Sequence, residues 1–85
     1  MLLMDRHNLL AREWSHVVST TDDIAELEAL RIRVGAPSPA LQKKGRRPHL
    51  DLKWEARERA LVDPEVKVFE TTRDLLRYLA AVQTA

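Results

Sequence analysis

The chain has 85 residues and carries 14 Lys and Arg against 13 Asp and Glu, a formal net charge of +1. That length makes one domain, residues 1–85, near the small end of what a single hydrophobic core holds together. The lack of cysteine excludes a disulfide framework and a thiolate metal site, and no apolar run approaches the roughly 20 residues of a membrane span. Met1-Leu2-Leu3-Met4 meets Asp5 too early for a signal peptide. A cytoplasmic protein with no membrane partner is therefore expected.

In chain order, Leu2, Leu3 and Met4 read as a short buried strand or a frayed terminus, with Asp5 at the strand's end. Leu9-Leu10-Ala11 form either a turn of helix or a loop that packs. Trp14 to Thr20 is rich in β-branched residues and predicts a second strand. Thr20 to Asp23 then offers N-cap side chains, with Asp23 and Glu26 at capping-box spacing. Ile24, Leu27, Leu30 and Val34 recur near the 3.6-residue period of a helix. Gly35 suits the left-handed C′ position, and Pro37 prevents continuation.

Residues 36–50 form a Pro- and Gly-containing basic loop, long for so small a domain and of the kind that is functional or mobile. A helical turn over Ala40 to Lys44 is one option within it. Asp51 is placed to cap a second helix carrying Leu52, Ala56, Ala60 and Leu61, which Asp63-Pro64 stops. Val66 to Phe69 alternates as a short strand. Thr71 and Asp74 start a closing helix with Leu75, Leu76, Leu79 and Val82 inward. The order β-β-α-loop-α-β-α predicts an α/β domain with a small three-stranded, at least partly parallel sheet and two to three helices.

The positive charge is local. Lys43, Lys44, Arg46 and Arg47 lie within five positions around Gly45; without them the chain, at +1 overall, would carry −3. Such a loop can track phosphates, which arginine forks match in geometry, or can be ordinary solvated surface. No aromatic residue interleaves with the cations, which argues against stacking on single-stranded bases.

Asp5, His16, His49 and Asp51 form a second constellation, a polar site able to bind a metal or to work as an acid–base pair. The structural alternative, favoured here, makes Asp51 an N-cap, buries His16 beside a hydrogen-bond partner and leaves His49 on a loop surface. No spacing among them is diagnostic of metal ligation, so no catalytic residue, metal or other cofactor is assigned. Asp5 and the Thr20–Asp23 run could share a site at strand ends. Trp14 and Trp54 are read as core or core rim ahead of partner-binding anchors.

Trp14-Ser15-His16, Asp23 to Leu27, Gly35, Gln42, Pro48-His49-Leu50-Asp51 and Arg59-Ala60-Leu61 together resemble a domain-of-unknown-function family of bacteria and bacteriophages. That family typically has a His-Tyr-Asp motif, and Leu50 stands here where it has Tyr. Trp54 to Arg57 and Asp63-Pro64-Glu65 also depart from its pattern. The resemblance implies a similar fold and a phage or bacterial context, and it supplies no activity.

Three functions follow in order of expectation. The first is a small non-enzymatic accessory protein that binds nucleic-acid phosphate weakly and without specificity through Lys43, Lys44, Arg46 and Arg47. The second is a protein-interaction module that engages a host protein. The third is a metal-dependent hydrolase or nuclease built on Asp5, His16, His49 and Asp51. A homodimer that buries additional apolar surface is compatible with a chain this small.

Overall fold

Five short extended runs pair into one mixed sheet, and three helices pack on it. The computed structural model describes residues 1–8 and 13–84; the expected turn at Leu9-Leu10-Ala11 lies outside the described residues. The elements are β1 (Leu2–His7), β2 (Ser15–Ser19), α1 (Ile24–Val34), a 3-10 turn (Ser38–Ala40), β3 (Leu41–Gln42), β4 (His49–Leu52), α2 (Trp54–Leu61), β5 (Val66–Thr71) and α3 (Thr72–Thr84). The strand order is β3-β4-β2-β1-β5. Only β1 and β5 run parallel; the other neighbours are antiparallel.

The α/β class and the partly parallel sheet are as expected, but the sheet has five strands and not three. The two additional strands come from residues 36–52. β3 has two residues and β4 four, too short for an alternating pattern to stand out from Pro, Gly and Lys neighbours. Their pairing makes them strands: Leu41 faces Leu50 and Gln42 faces His49. The basic segment is thus the loop of a β-hairpin, not the middle of a long connector, and Ala40 closes a 3-10 turn where a longer helical turn was one option.

The α1 signals act as read. The Asp23 carboxylate accepts from the Ala25 and Glu26 amides at 2.9 and 3.3 Å. Gly35 takes φ +73°, and the Gly35 and Ala36 amides return to the Ile32 and Arg31 carbonyls. The second helix starts differently. Asp51 lies inside β4, and Lys53 occupies the N-cap position without a side-chain hydrogen bond. Pairing with β2 holds Asp51 extended two residues before the helix, which removes it from the capping position.

Two apolar layers flank the sheet. The larger packs Leu27, Leu30 and Val34 of α1 and Ala60 of α2 against Leu2, Met4, Val17, Leu50 and Leu52. The smaller packs Leu75 and Leu79 of α3 on Leu3 and Val18, with Phe69 and Tyr78 at its rim. Of the residues expected inside, Val68 is only half-buried, and Ile24, Leu76 and Val82 are exposed. The helices are thinner on their buried faces than the apolar pattern implies, because each covers only part of the sheet.

Leu27 contacts no solvent. Leu27→Ala should therefore cost on the order of 2–5 kcal/mol, a large part of the stability of so small a domain. Chemical denaturation checks it, and a loss below about 0.5 kcal/mol would show that the α1 packing collapses around the deletion.

Candidate functional site

Alternation along the strands sorts the polar residues onto one face. Val18 lies beneath α3, so His16, two residues earlier, faces the same side. His16 is opposite Asp51, and Gln42 is opposite His49, so all four side chains share that face. The smaller layer beneath α3 draws its sheet residues from β1, β2 and β5. Among the described residues no helix lies over β4 and β3 on this side. The hairpin loop and the N-terminal turn of α3 border the open area.

Asp5 anchors the site. It is fully buried and holds three donors. The His16 amide donates to Oδ1 at 2.6 Å, the His16 ring meets Oδ2 through Nδ1 at 3.1 Å, and the Thr72 hydroxyl donates to Oδ2. The Asn8 side-chain amide lies 3.4 Å from the same ring nitrogen. Arg57, reaching from α2, donates to the Ser15 hydroxyl at 2.8 Å and to the Arg6 carbonyl at 2.5 Å, fixing the strand ends beside this cluster.

The histidine tautomers follow from these partners. Nδ1 of His16 points at Asp5, so Nε2 faces outward, 3.7 Å from Asp51 Oδ1. Nδ1 of His49 lies 3.1 Å from the Arg47 carbonyl, which can only accept, so it carries the proton. Its Nε2 is 3.5 Å from the same Asp51 oxygen. The two rings meet edge-on with centroids 5.9 Å apart. Thus Asp5, His16, Asp51 and His49 form one chain of polar side chains across three strands.

The structure brings together all four residues read from the sequence as a polar site, and it corrects two of their structural roles. His49 is a half-buried strand residue, not loop surface, and Asp51 pairs with both histidines where a helix cap was expected. The Thr20–Asp23 run does not join them. β1 and β2 are antiparallel, with Leu2 opposite Ser19, so Thr20 lies near Met1, at the far end of β1 from Asp5. Among the described residues, no group of three or more His, Asp or Glu is arranged to hold a metal ion.

Three of the four loop cations reach the cluster. A pocket of about 260 Å³ is lined by Lys44, Arg46 and Arg47 from the loop, His16 and His49 from the sheet, and Thr72 from α3, over the apolar side chains of Val18, Leu75 and Leu76. Lys43 is exposed and not part of the lining. Arg47 is half-buried, and its Nη1 is shielded from solvent with no hydrogen-bond partner among the described residues. A shielded guanidinium N–H without an acceptor is costly.

Trp54, expected in the core, is 72% exposed at the start of α2, with φ +54°. A left-handed conformation costs a non-glycine residue roughly 1–2 kcal/mol. Its visible compensation is the Lys53 ammonium, 4.1 Å from the ring centroid, and such a contact contributes only about 0.5–1 kcal/mol at an exposed site. Packing therefore does not account for a tryptophan here. Trp14 is half-buried, with the same Lys53 ammonium 4.5 Å from its ring centroid.

Burial opposes ionisation of Asp5, but the His16 ring, the Thr72 hydroxyl and the His16 amide together hold its carboxyl below the usual value of 3.8. The hydrogen bond to Asp5 raises the His16 imidazole above its usual 6.5 against the opposing effect of burial, with help from the Asp5 and Asp51 charges. A raised histidine contributes stability that is complete below its unfolded pKa and is lost as pH climbs through the folded one. A lowered carboxyl contributes above its unfolded pKa and loses that contribution as pH falls through the folded one. Both contributions are therefore present between about pH 4 and 6.5. Denaturant titrations across pH should show stability declining above that window, and His16→Gln should flatten the decline. A His16→Gln profile parallel to wild type would show that the Asp5–His16 pair is not the titrating element. No family model, no curated protein and no solved structure matches this chain, so the functional reading rests on this geometry.

Proposed function

We propose that the protein binds nucleic-acid phosphate, weakly and without sequence preference, through the hairpin loop and the two histidines behind it. The observation that carries this reading is a pocket in which three cations of one loop, Lys44, Arg46 and Arg47, converge beside His16 and His49. Arg46 and Arg47 offer planar forks that match phosphate oxygens, and Lys44 adds a compact charge. His16, kept protonated to higher pH by Asp5, adds positive charge on the sheet side. Asp51 opposes the anion but is already engaged by both imidazoles.

The resemblance to the bacterial and phage family belongs to the same proposal, with a phage or bacterial accessory protein as the context. Leu50, at the position of that family's tyrosine, is fully buried in the larger apolar layer. In this chain the middle of the motif serves the core, while His49 lines the pocket and Asp51 lies beside both imidazoles.

Duplex DNA should bind at about 10⁻⁴ to 10⁻⁶ M near physiological salt, with log K falling against log salt by about 0.9 for each phosphate contact. Replacing Lys43, Lys44, Arg46 and Arg47 together with Ala should abolish binding. The thermal midpoint should move little, because Lys43, Lys44 and Arg46 are exposed charges that contribute little to folding and the shielded Nη1 of half-buried Arg47 gives up no hydrogen bond among the described residues. Titrations of duplex DNA, RNA and heparin at two salt concentrations test both statements. If wild type binds none of them at low salt, or the quadruple variant binds equally well, the loop is solvated surface and the protein-interaction reading takes precedence.

A further inference from the structure

We infer that the tryptophan end of the same sheet face stacks the bases of a single-stranded nucleic acid whose phosphates occupy the loop pocket. The inference rests on the phosphate-binding reading and adds the substrate class, single strand over duplex. Register places the two regions side by side. Ser15 is opposite Leu52, so Trp14 and Lys53 stand one step beyond, on the face that carries His16 and Asp51. Two residues of strand separate Trp14 from His16, about 7 Å.

A second cavity of about 800 Å³ opens at this edge of the sheet; its walls include Trp14, Trp54, Pro37, Pro39, Lys53 and Asp51, and it reaches round the edge to Ala36 and Leu52 of the larger apolar layer. Its size falls in the range of small-ligand sites, which are mostly apolar with a few placed polar groups. Asp51 joins the two regions, since it lines this cavity and its carboxylate faces both histidines of the phosphate pocket. Indole and proline faces are flat and apolar and accept any base by stacking. The Asp51 carboxylate can accept hydrogen bonds from exocyclic amino groups.

Charge complementarity selects the occupant. The cavity's own charges balance, Lys53 and Arg59 against Asp51 and Glu55, with Arg59 paired to Glu55; that suits uncharged bases, while the positive loop pocket of Lys44, Arg46 and Arg47 takes the phosphates. In the free protein the Lys53 ammonium lies within 4.5 Å of both indole centroids. A base entering the cavity takes its place against the rings, and the ammonium becomes available to a neighbouring phosphate. Duplex bases are already stacked on each other and cannot enter. Trp54 stands exposed at φ +54° where the chain turns from β4 into α2, and this assignment gives its side chain a task.

The test uses the full chain with oligothymidylate, oligouridylate, an abasic single strand of equal length and a matched duplex. Tryptophan fluorescence and the anisotropy of labelled strands are read in parallel. Base-bearing single strands should quench tryptophan emission and bind more tightly than the abasic strand or the duplex. Trp54→Ala should weaken binding to base-bearing strands by about 5- to 150-fold for each stacked base and leave abasic binding unchanged. Trp54→Phe should retain most of the affinity, which separates stacking from a folding defect. Equal affinity for abasic and base-bearing strands, or a Trp54→Ala variant that binds like wild type, overturns the inference. The phosphate reading then stands if the quadruple loop variant still loses binding, and the tryptophan surface passes to the protein-interaction reading. Failure of wild type to bind any polyanion overturns both.

Discussion

The buried Asp5 carboxylate is the constraint on which the site depends. A charge taken out of water is costly unless it is surrounded by donors, and Asp5 finds them on two other elements. The His16 amide and ring come from β2, and the Thr72 hydroxyl comes from the first residue of α3. Satisfying one carboxylate therefore fixes the angle at which α3 leaves β5, the rotamer of His16 and the tautomer of its ring. The outward Nε2 that faces Asp51 is a consequence of that inward bond. Replacing this cluster with apolar residues could well leave the fold as stable, but it would leave nothing to aim the imidazole at the pocket.

Local signals were the most legible part of the sequence. Asp23, Glu26 and Gly35 delimit α1 because caps act within a few residues of the helix they end, and Thr71 with Asp74 marks the start of α3 for the same reason. Pairing over distance was not legible. Leu41-Gln42 carries no strand pattern of its own and is extended because His49 and Leu50 lie opposite. That hairpin also explains the misplaced cap. Asp51 has an ideal residue type for a helix N-terminus, yet the ladder with β2 claims it first.

The candidate site was half legible. Asp5, His16, His49 and Asp51 were recognisable as a set of residue types, while their meeting depends on a register that no spacing reveals. The shared pocket was invisible for the same reason, since the loop cations and His16 belong to different strand connections. Trp54 was misread because size and apolarity are good guides to burial only on average. Its neighbours do offer a clue in hindsight: Lys53-Trp54-Glu55 puts an aromatic between two charged residues at a strand-to-helix junction, where side chains have little core to enter.

The parallel pairing of β1 with β5 also bears on when the protein can fold. β1 lies inside the sheet, with β2 on one side and β5 on the other. The first neighbour arrives soon after β1 in the chain; the second does not. The Thr72 hydroxyl that completes the shell around Asp5 lies 67 residues away in sequence. During synthesis β1 can thus pair along one edge only, and its central carboxylate, with His16 as its first partner, lacks the Thr72 donor until α3 emerges. Folding that waits on such distant contacts is slow relative to local pairing, and unpaired strand edges are the surfaces through which nascent chains aggregate. The same residue that orders the finished site makes the unfinished chain dependent on its C-terminal third, where a chaperone or an early partner would have the most to protect.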